Sequence, residues 1–230
     1  MDRTGRAARL AQQSKGGGVA SLGNVPYLPL IDAVGTFAFA LSGGALAVQK
    51  RFDIFGVLFL ALVVAVAGGL VRDLLIGAVP PAAIADWHAF ALAMAGGLVT
   101  FFGYPLVRAL RRPVLLLDAI GLGLFAVTGA EKALLYGIDP VMAAVLGMIS
   151  GIGGGMVRDV LAGEVPSVLR TDIYAVAALV AGGVVALGYA LDLPPAWSML
   201  AGAALCMFLR VMAIFYGWHA PVAPWRSDER

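Results

Sequence analysis

The stretch AGGLVRDLLIGAVP (residues 67–80) returns 86 positions later as GGGMVRDVLAGEVP (residues 153–166). Both copies lie in sequence that is otherwise nearly all apolar. Shifting the whole chain by the same amount aligns far more than the motif. Asp32 meets Asp118, Gly35 meets Gly121, Gly43 meets Gly129 and Asp53 meets Asp139. Asp86 meets Asp172, and Gly96-Gly97 meets Gly182-Gly183. Over residues 31–99, 25 of 69 positions are identical without a gap. Shared greasiness explains some Ala and Leu matches, but not Arg-Asp pairs, Asp-led starts and prolines in one register.

The composition says where such a repeat resides. Of 230 residues, 61% are hydrophobic and 13% charged, and the mean hydropathy is +0.92. Soluble domains carry about 45–50% apolar and about 25% charged residues, so the excess points to an integral membrane protein. The net charge of +2 gives a nucleic-acid partner nothing to hold. A single cysteine, Cys206, excludes an internal disulfide or a cysteine-built metal site. His88 and His219 are too far apart in sequence to indicate a metal cluster, and no nucleophile–base set appears, so neither an enzyme nor a cofactor is expected. The basic, Gly/Ser-rich residues 1–27 lack an apolar core and predict a flexible tail rather than a signal peptide.

Continuous apolar runs of about 20 residues predict spanning helices, not alternating barrel strands. Seven fall at 28–49, 54–76, 87–107, 113–134, 140–162, 173–191 and 196–217. The domain plan is repeat 1 (28–107), repeat 2 (108–191), a seventh helix (192–218) and a C-terminal tail (219–230). Each repeat holds three helices. Three is odd, so the second copy enters the membrane from the opposite side, giving an inverted repeat. The fold class is therefore all-α, with two inverted three-helix repeats plus a seventh helix. Lys50, Arg51, Arg108, Arg111, Arg112, Arg170, Arg226 and Arg230 gather on one side, which predicts a cytoplasmic C-terminus and an external N-terminus in the cell membrane. Trp87, Trp197, Trp218 and Trp225 sit near segment ends, where an aromatic belt is expected, with His88 interfacial beside them.

The chemistry concentrates in the repeated motif. An arginine or aspartate at a helix centre costs about 2.5–3.5 kcal/mol on insertion scales and usually faces a bundle interior or aqueous cavity. Arg72, Asp73, Arg158 and Asp159 are therefore candidate pathway residues. Neighbours on a helix point about 100° apart, so Arg72 and Asp73 are expected to pair across helices, with Asp32 and Asp118 as partners. Ser42 and Thr128, equivalent in the repeat, are candidates to line a polar path. Glu131 and Lys132 break the second repeat alone and are expected at the membrane edge. Glycine costs about 1 kcal/mol relative to alanine in a helix, so Gly68, Gly69, Gly153, Gly154 and Gly155 are expected to break segments two and five. Gly96-Gly97 and Gly182-Gly183 are read instead as close-packing sites.

The two motif copies, each following an Asp-Ala-[Val/Ile]-Gly helix start, resemble the bacterial and archaeal trimeric intracellular cation channel family, also catalogued as a glycine-transporter-type domain of formerly unknown function. The resemblance covers residues 28–217. It implies a homotrimer in the lipid membrane, one ion pathway inside each protomer, kinks at the glycines of segments two and five, and conduction of monovalent cations, mainly potassium. Animal members carry a lysine-bearing, phosphoinositide-binding stretch where this chain keeps Gly153-Gly154-Gly155, so lipid dependence of that kind is not expected. The alternative is a secondary transporter of glycine or another small zwitterion, for which Arg and Asp would each hold one end.

Overall fold

The structure is a computed structural model that describes residues 27–108, 112–170 and 173–217. Within them lie seven helices long and apolar enough to cross a membrane. They are α1 (Leu28–Gln49), α2 (Ile54–Leu75), α4 (Trp87–Arg108), α5 (Pro113–Leu135), α6 (Pro140–Leu161), α8 (Ile173–Ala190) and α9 (Pro195–Tyr216). Two single-turn helices, α3 (Ala82–Ala85) and α7 (Ser167–Arg170), occupy the links after α2 and α6. They were not apparent in the sequence, where Pro80-Pro81 marked only a break. The protein is a multi-pass membrane protein. The N- and C-terminal tails, with Trp218, His219, Trp225, Arg226, Arg230 and the other tail charges, and the linking Arg111 and Asp172, lie outside the described residues.

The helix ends follow from local chemistry. Asp53 caps α2, its carboxylate accepting from the Gly56 N–H at 2.7 Å. Its repeat equivalent Asp139 caps α6, accepting from the Val141 N–H at 2.9 Å. Such caps satisfy amides that the first turn leaves without partners. Pro29, Pro113, Pro140 and Pro195 stand in the first turns of α1, α5, α6 and α9, where a missing N–H costs nothing. Gly77 and Gly163 turn the chain out of α2 and α6 with φ of 74° and 72°, a conformation open to glycine at no steric cost.

The packing repeats with the sequence. In repeat 1, α1 packs against α2 and α4, and α2 against α4; in repeat 2, α5 packs against α6 and α8, and α6 against α8. Two seams join the halves, α1 with α5 and α2 with α6. Each seam is self-complementary. A Cβ on Gly35 would lie 2.8 Å from the Phe125 ring, and one on Gly121 would lie 2.6 Å from the Phe39 ring. Phe39 and Phe125 are themselves repeat equivalents, and their ring centroids are 5.3 Å apart. At the second seam a Cβ on Gly68 would overlap the Ser150 carbonyl, and one on Gly154 would lie 2.7 Å from the Val64 carbonyl; Val64 and Ser150 are again equivalents. Contacts that exchange in this way define a two-fold axis. In both seams the residue further along one helix meets the residue earlier on the other, so equivalent helices run antiparallel and the repeat is inverted. Helix α9 lies outside this symmetry, against α8 and α5.

The glycines correct one expectation. Helices α2 and α6 run without interruption through Gly68-Gly69 and Gly153-Gly155, so neither segment is broken there. Small residues instead let two helix backbones approach closely. Gly153 faces the Gly68 backbone, Gly154 the Val64 carbonyl, and Gly155 the Tyr174 hydroxyl and Asp118. Gly96, Gly97 and Gly182 are also close-packed, whereas Gly183 has nothing within 4 Å.

Candidate functional site

The two Arg-Asp pairs sit at opposite ends of the bundle, each near the end of its helix and each facing inward. At the end shared by the start of α1 and the close of α2, Arg72 is 2% exposed. Its Nε donates to Asp73 Oδ1 at 2.8 Å, and its Nη1 and Nη2 donate to the two Asp32 oxygens, both at 3.3 Å. Asp73 also accepts from Lys132 Nζ at 2.8 Å and from the Ala82 N–H at 2.9 Å. The single turn of α3 is thus tied to the cluster by its own first amide.

The other end repeats the plan with tighter packing. Arg158 Nε and Nη2 donate to Asp159 Oδ1 at 2.9 and 2.7 Å. Its Nη1 donates to Asp118 Oδ1 at 2.6 Å and to Ser42 Oγ at 2.7 Å. Asp159 accepts from the Ser167 N–H at 2.7 Å, the counterpart of the Ala82 bond. The Ser42 hydroxyl in turn donates to the Val114 carbonyl at 3.1 Å. Tyr174 donates to Asp118 at 3.1 Å, and Arg210 from α9 lies 4.4 Å above the Tyr174 ring, within cation–π range.

The expected cross-helix partners Asp32 and Asp118 are in place. The expectation that Arg72 and Asp73 would not pair is corrected, and Arg158 with Asp159 likewise. The arginine stem is long enough to bring Nε back to the adjacent carboxylate, leaving the terminal nitrogens for the partner helix. Ser42 joins the second cluster. Thr128, its equivalent, is buried with no partner for its hydroxyl and is not joined to Arg72. Glu131 and Lys132 are not at a membrane edge: they are 5% and 4% exposed. Lys132 lies about four helical turns after Asp118 and so on nearly the same stripe of α5, a signal that was available. Tyr174 and Arg210 were missed. A lone arginine in the middle of an apolar helix is itself a signal.

The ends differ in what surrounds them. A cavity of about 790 Å³ opens beside the first cluster, lined by Asp32, Arg72, Asp73, Lys132, Asp86 and His88 among others. Its inner wall reaches Gly69 and Phe125. At the second end the equivalent space is filled. Tyr174 occupies the register position of His88 but points inward, fully buried, with its hydroxyl over Gly155. His88 instead lies exposed beside Trp87, bonded to Asp86. That bond holds the Asp86 carboxyl below its usual pKa range. The side chain of Asp32 is 26% exposed and that of Asp118 is fully buried. No group of three or more His, Cys, Asp or Glu side chains suited to a metal ion occurs among the described residues.

Seven apolar spans, an internal two-fold axis and paired charges buried between the repeats define an inverted-repeat membrane protein of the kind that builds transport pathways. Comparison with known proteins narrows this. A family model described as "Glycine transporter" matches twice, over residues 29–105 and 115–190. A UPF0126 membrane protein of Deinococcus radiodurans is 44% identical over 183 residues, covering 78% of this chain and 84% of that protein. The UPF0126 inner membrane protein YadS of Escherichia coli K12 is 39% identical over 206 residues, covering 86% and 96%. Among solved structures, the TRIC trimeric intracellular cation channel orthologue from Rhodobacter sphaeroides superposes with a TM-score of 0.79 at 35% identity, covering 83% of this chain and 98% of that one. A structure described under conductance through TRIC cation channels gives 0.77 at 32% identity, covering 87% and 98%. The chain belongs to the prokaryotic trimeric intracellular cation (TRIC) channel family.

Proposed function

We propose that the protein is a potassium-preferring monovalent cation channel, assembled as a homotrimer in the membrane with one pathway between the repeats of each protomer. Likeness to solved TRIC cation channels supports the class. The observation that carries the pathway is the cavity at the Arg72 end. Its lining brings three carboxylates, Asp32, Asp73 and Asp86, against the two cations Arg72 and Lys132, with His88 beside Asp86. A surplus of carboxylate at a low-dielectric mouth concentrates cations. Both arginines are neutralised by paired aspartates, which answers how a cation path tolerates them. The Arg158 end, filled by Tyr174 and the Asp118 network, then reads as the closed half, and opening requires that network to part.

The zwitterion carrier is the weaker reading. Each motif arginine is bonded to its own aspartate, so neither is left to hold one end of a substrate. Reconstitution into planar bilayers decides between them. Discrete unitary currents with potassium are expected, and saturable uptake without such currents would replace the channel with a carrier.

For orientation we propose a cytoplasmic C-terminus and an external N-terminus, supported by the basic connections on the C-terminal side. Cysteine substituted at position 53 is expected to react with an impermeant reagent from the cytoplasmic side, and at position 139 from outside. Native Cys206 is fully buried and stays silent. Labelling of both positions from one side would be incompatible with the inverted repeat.

A further inference from the structure

Glu131 takes no part in either cluster. On α5 it follows a different direction from Lys132, about 100° around the helix. Lys132 reaches Asp73, whereas Glu131 turns toward α8 and α9. There it lines a small, partly open cavity of about 20 Å³ with Tyr189, Asp192 and Ser198, walled by Val185, Leu193 and Pro195. Glu131 is 95% buried and has no hydrogen bond or ion pair among the described residues. Ser198 is equally buried and its Oγ has no partner. The hydroxyl is held in place, since the Gly188 backbone leaves no room even for a Cβ beside it. The Glu131 charge is felt at Tyr27, whose phenol is pushed above its ordinary pKa by burial first and by that carboxylate second.

An ionised carboxylate without a counter-charge is costly to bury, and within a membrane such a residue marks a function with a partner to be named. The polar lining contributes only oxygen from its side chains, and the volume suits one water molecule or one dehydrated ion. We infer that Glu131, with Ser198, Tyr189 and Asp192, forms a binding site for a single small hard cation, separate from the conduction pathway. Oxygen-only ligands select hard ions over soft ones. The site lies outside the inverted symmetry: the repeat equivalent of Glu131 is Ala45, and Ser198 belongs to α9, which has no counterpart. It therefore does not follow from the pathway chemistry and stands whether or not the protein conducts.

The test is thermal unfolding of the full-length purified protein, titrated with sodium, potassium or calcium chloride against N-methylglucamine chloride at constant ionic strength. Wild type is expected to gain melting temperature saturably with at least one of the small ions, and which one identifies the charge class. Glu131→Gln is expected to abolish that gain, and Ser198→Ala to weaken the midpoint about tenfold, the order of one lost polar ligand. Glu164→Gln, which removes an exposed carboxylate at the other end of the bundle, is expected to leave the gain intact. The inference is overturned if no small ion stabilises wild type, or if Glu131→Gln or Ser198→Ala responds as wild type does. It is also overturned if pH alone shifts the melting temperature without competition from any cation, since Glu131 is then simply protonated. Should Glu131→Gln fail to fold, the Ser198→Ala midpoint decides.

Discussion

Replacing Arg158 with alanine is expected to be among the most damaging single substitutions in this protein. Its guanidinium is almost fully buried and is the only cation bonded to Asp118 and Asp159 among the described residues. Breaking a buried pair by removing one partner costs about 3–5 kcal/mol, because the remaining charge stays buried. Here two carboxylates are left. Arg72→Ala is expected to be milder. Lys132 still reaches Asp73, and Asp32 is partly open to the cavity. Arg158→Lys keeps the charge but not the planar fork that reaches Asp118, Asp159 and Ser42 together, so it should fall between wild type and alanine. The measurements are yield of monodisperse protein and melting temperature, followed by single-channel recording of whatever assembles. The double substitution Asp118→Asn with Arg158→Gln removes one charge of each sign and is expected to recover part of the stability. On the proposed reading, in which this network keeps the Tyr174 end closed, its open probability should rise. If Arg158→Ala is no worse than Arg72→Ala, and the double variant gates like wild type, the Arg158 cluster is neither a stability centre nor a gate.

How much of this was written in the sequence depends on whether a residue had a repeat equivalent. The register of 86 pointed to both arginines and all four partner aspartates, and the odd number of helices per repeat to the antiparallel relation of the halves. Lys132 and Glu131 have Leu46 and Ala45 opposite them, so the register was silent, and apolar patterning on a helix packed on most sides could not say which way they faced. His88 and Tyr174 share one register position and end in opposite environments. That difference follows from size, polarity and the presence of α9, with Arg210 stacked over the buried tyrosine and the exposed histidine stacked against Trp87 instead. The glycines were legible as special but not as to why. A Gly-Gly step reads the same whether the helix unwinds or a neighbouring backbone presses against it, and only the position of the Ser150 and Val64 carbonyls separates the two.

That separation sets the final expectation, at the α2–α6 seam. Alanine at position 68 would drive a methyl into the Ser150 carbonyl of α6, a backbone atom that no rotamer change can move. The helices must part, and overpacking of this kind costs about 1–3 kcal/mol. Position 154 is the two-fold equivalent, with Cβ room limited to 2.7 Å from the Val64 carbonyl, so Gly154→Ala is expected to cost a similar amount. Gly154→Leu must also displace Phe39, whose ring is 3.3 Å from the same point, and is expected to prevent stable assembly or sharply reduce flux. Gly183→Ala is the control. It lies in a helix with nothing within 4 Å, so the gain in helix propensity is unopposed, and it should be neutral or stabilising by up to about 1 kcal/mol. Melting temperatures of the three alanine variants in one detergent carry the comparison. Equal values for positions 68, 154 and 183 would mean that α2 and α6 are free to separate, and the two-fold seam would not be what fixes the halves against each other. A loss confined to 68 and 154 would locate the rigid two-fold seam of the protein at these two glycines, with the charged clusters placed symmetrically on either side of it.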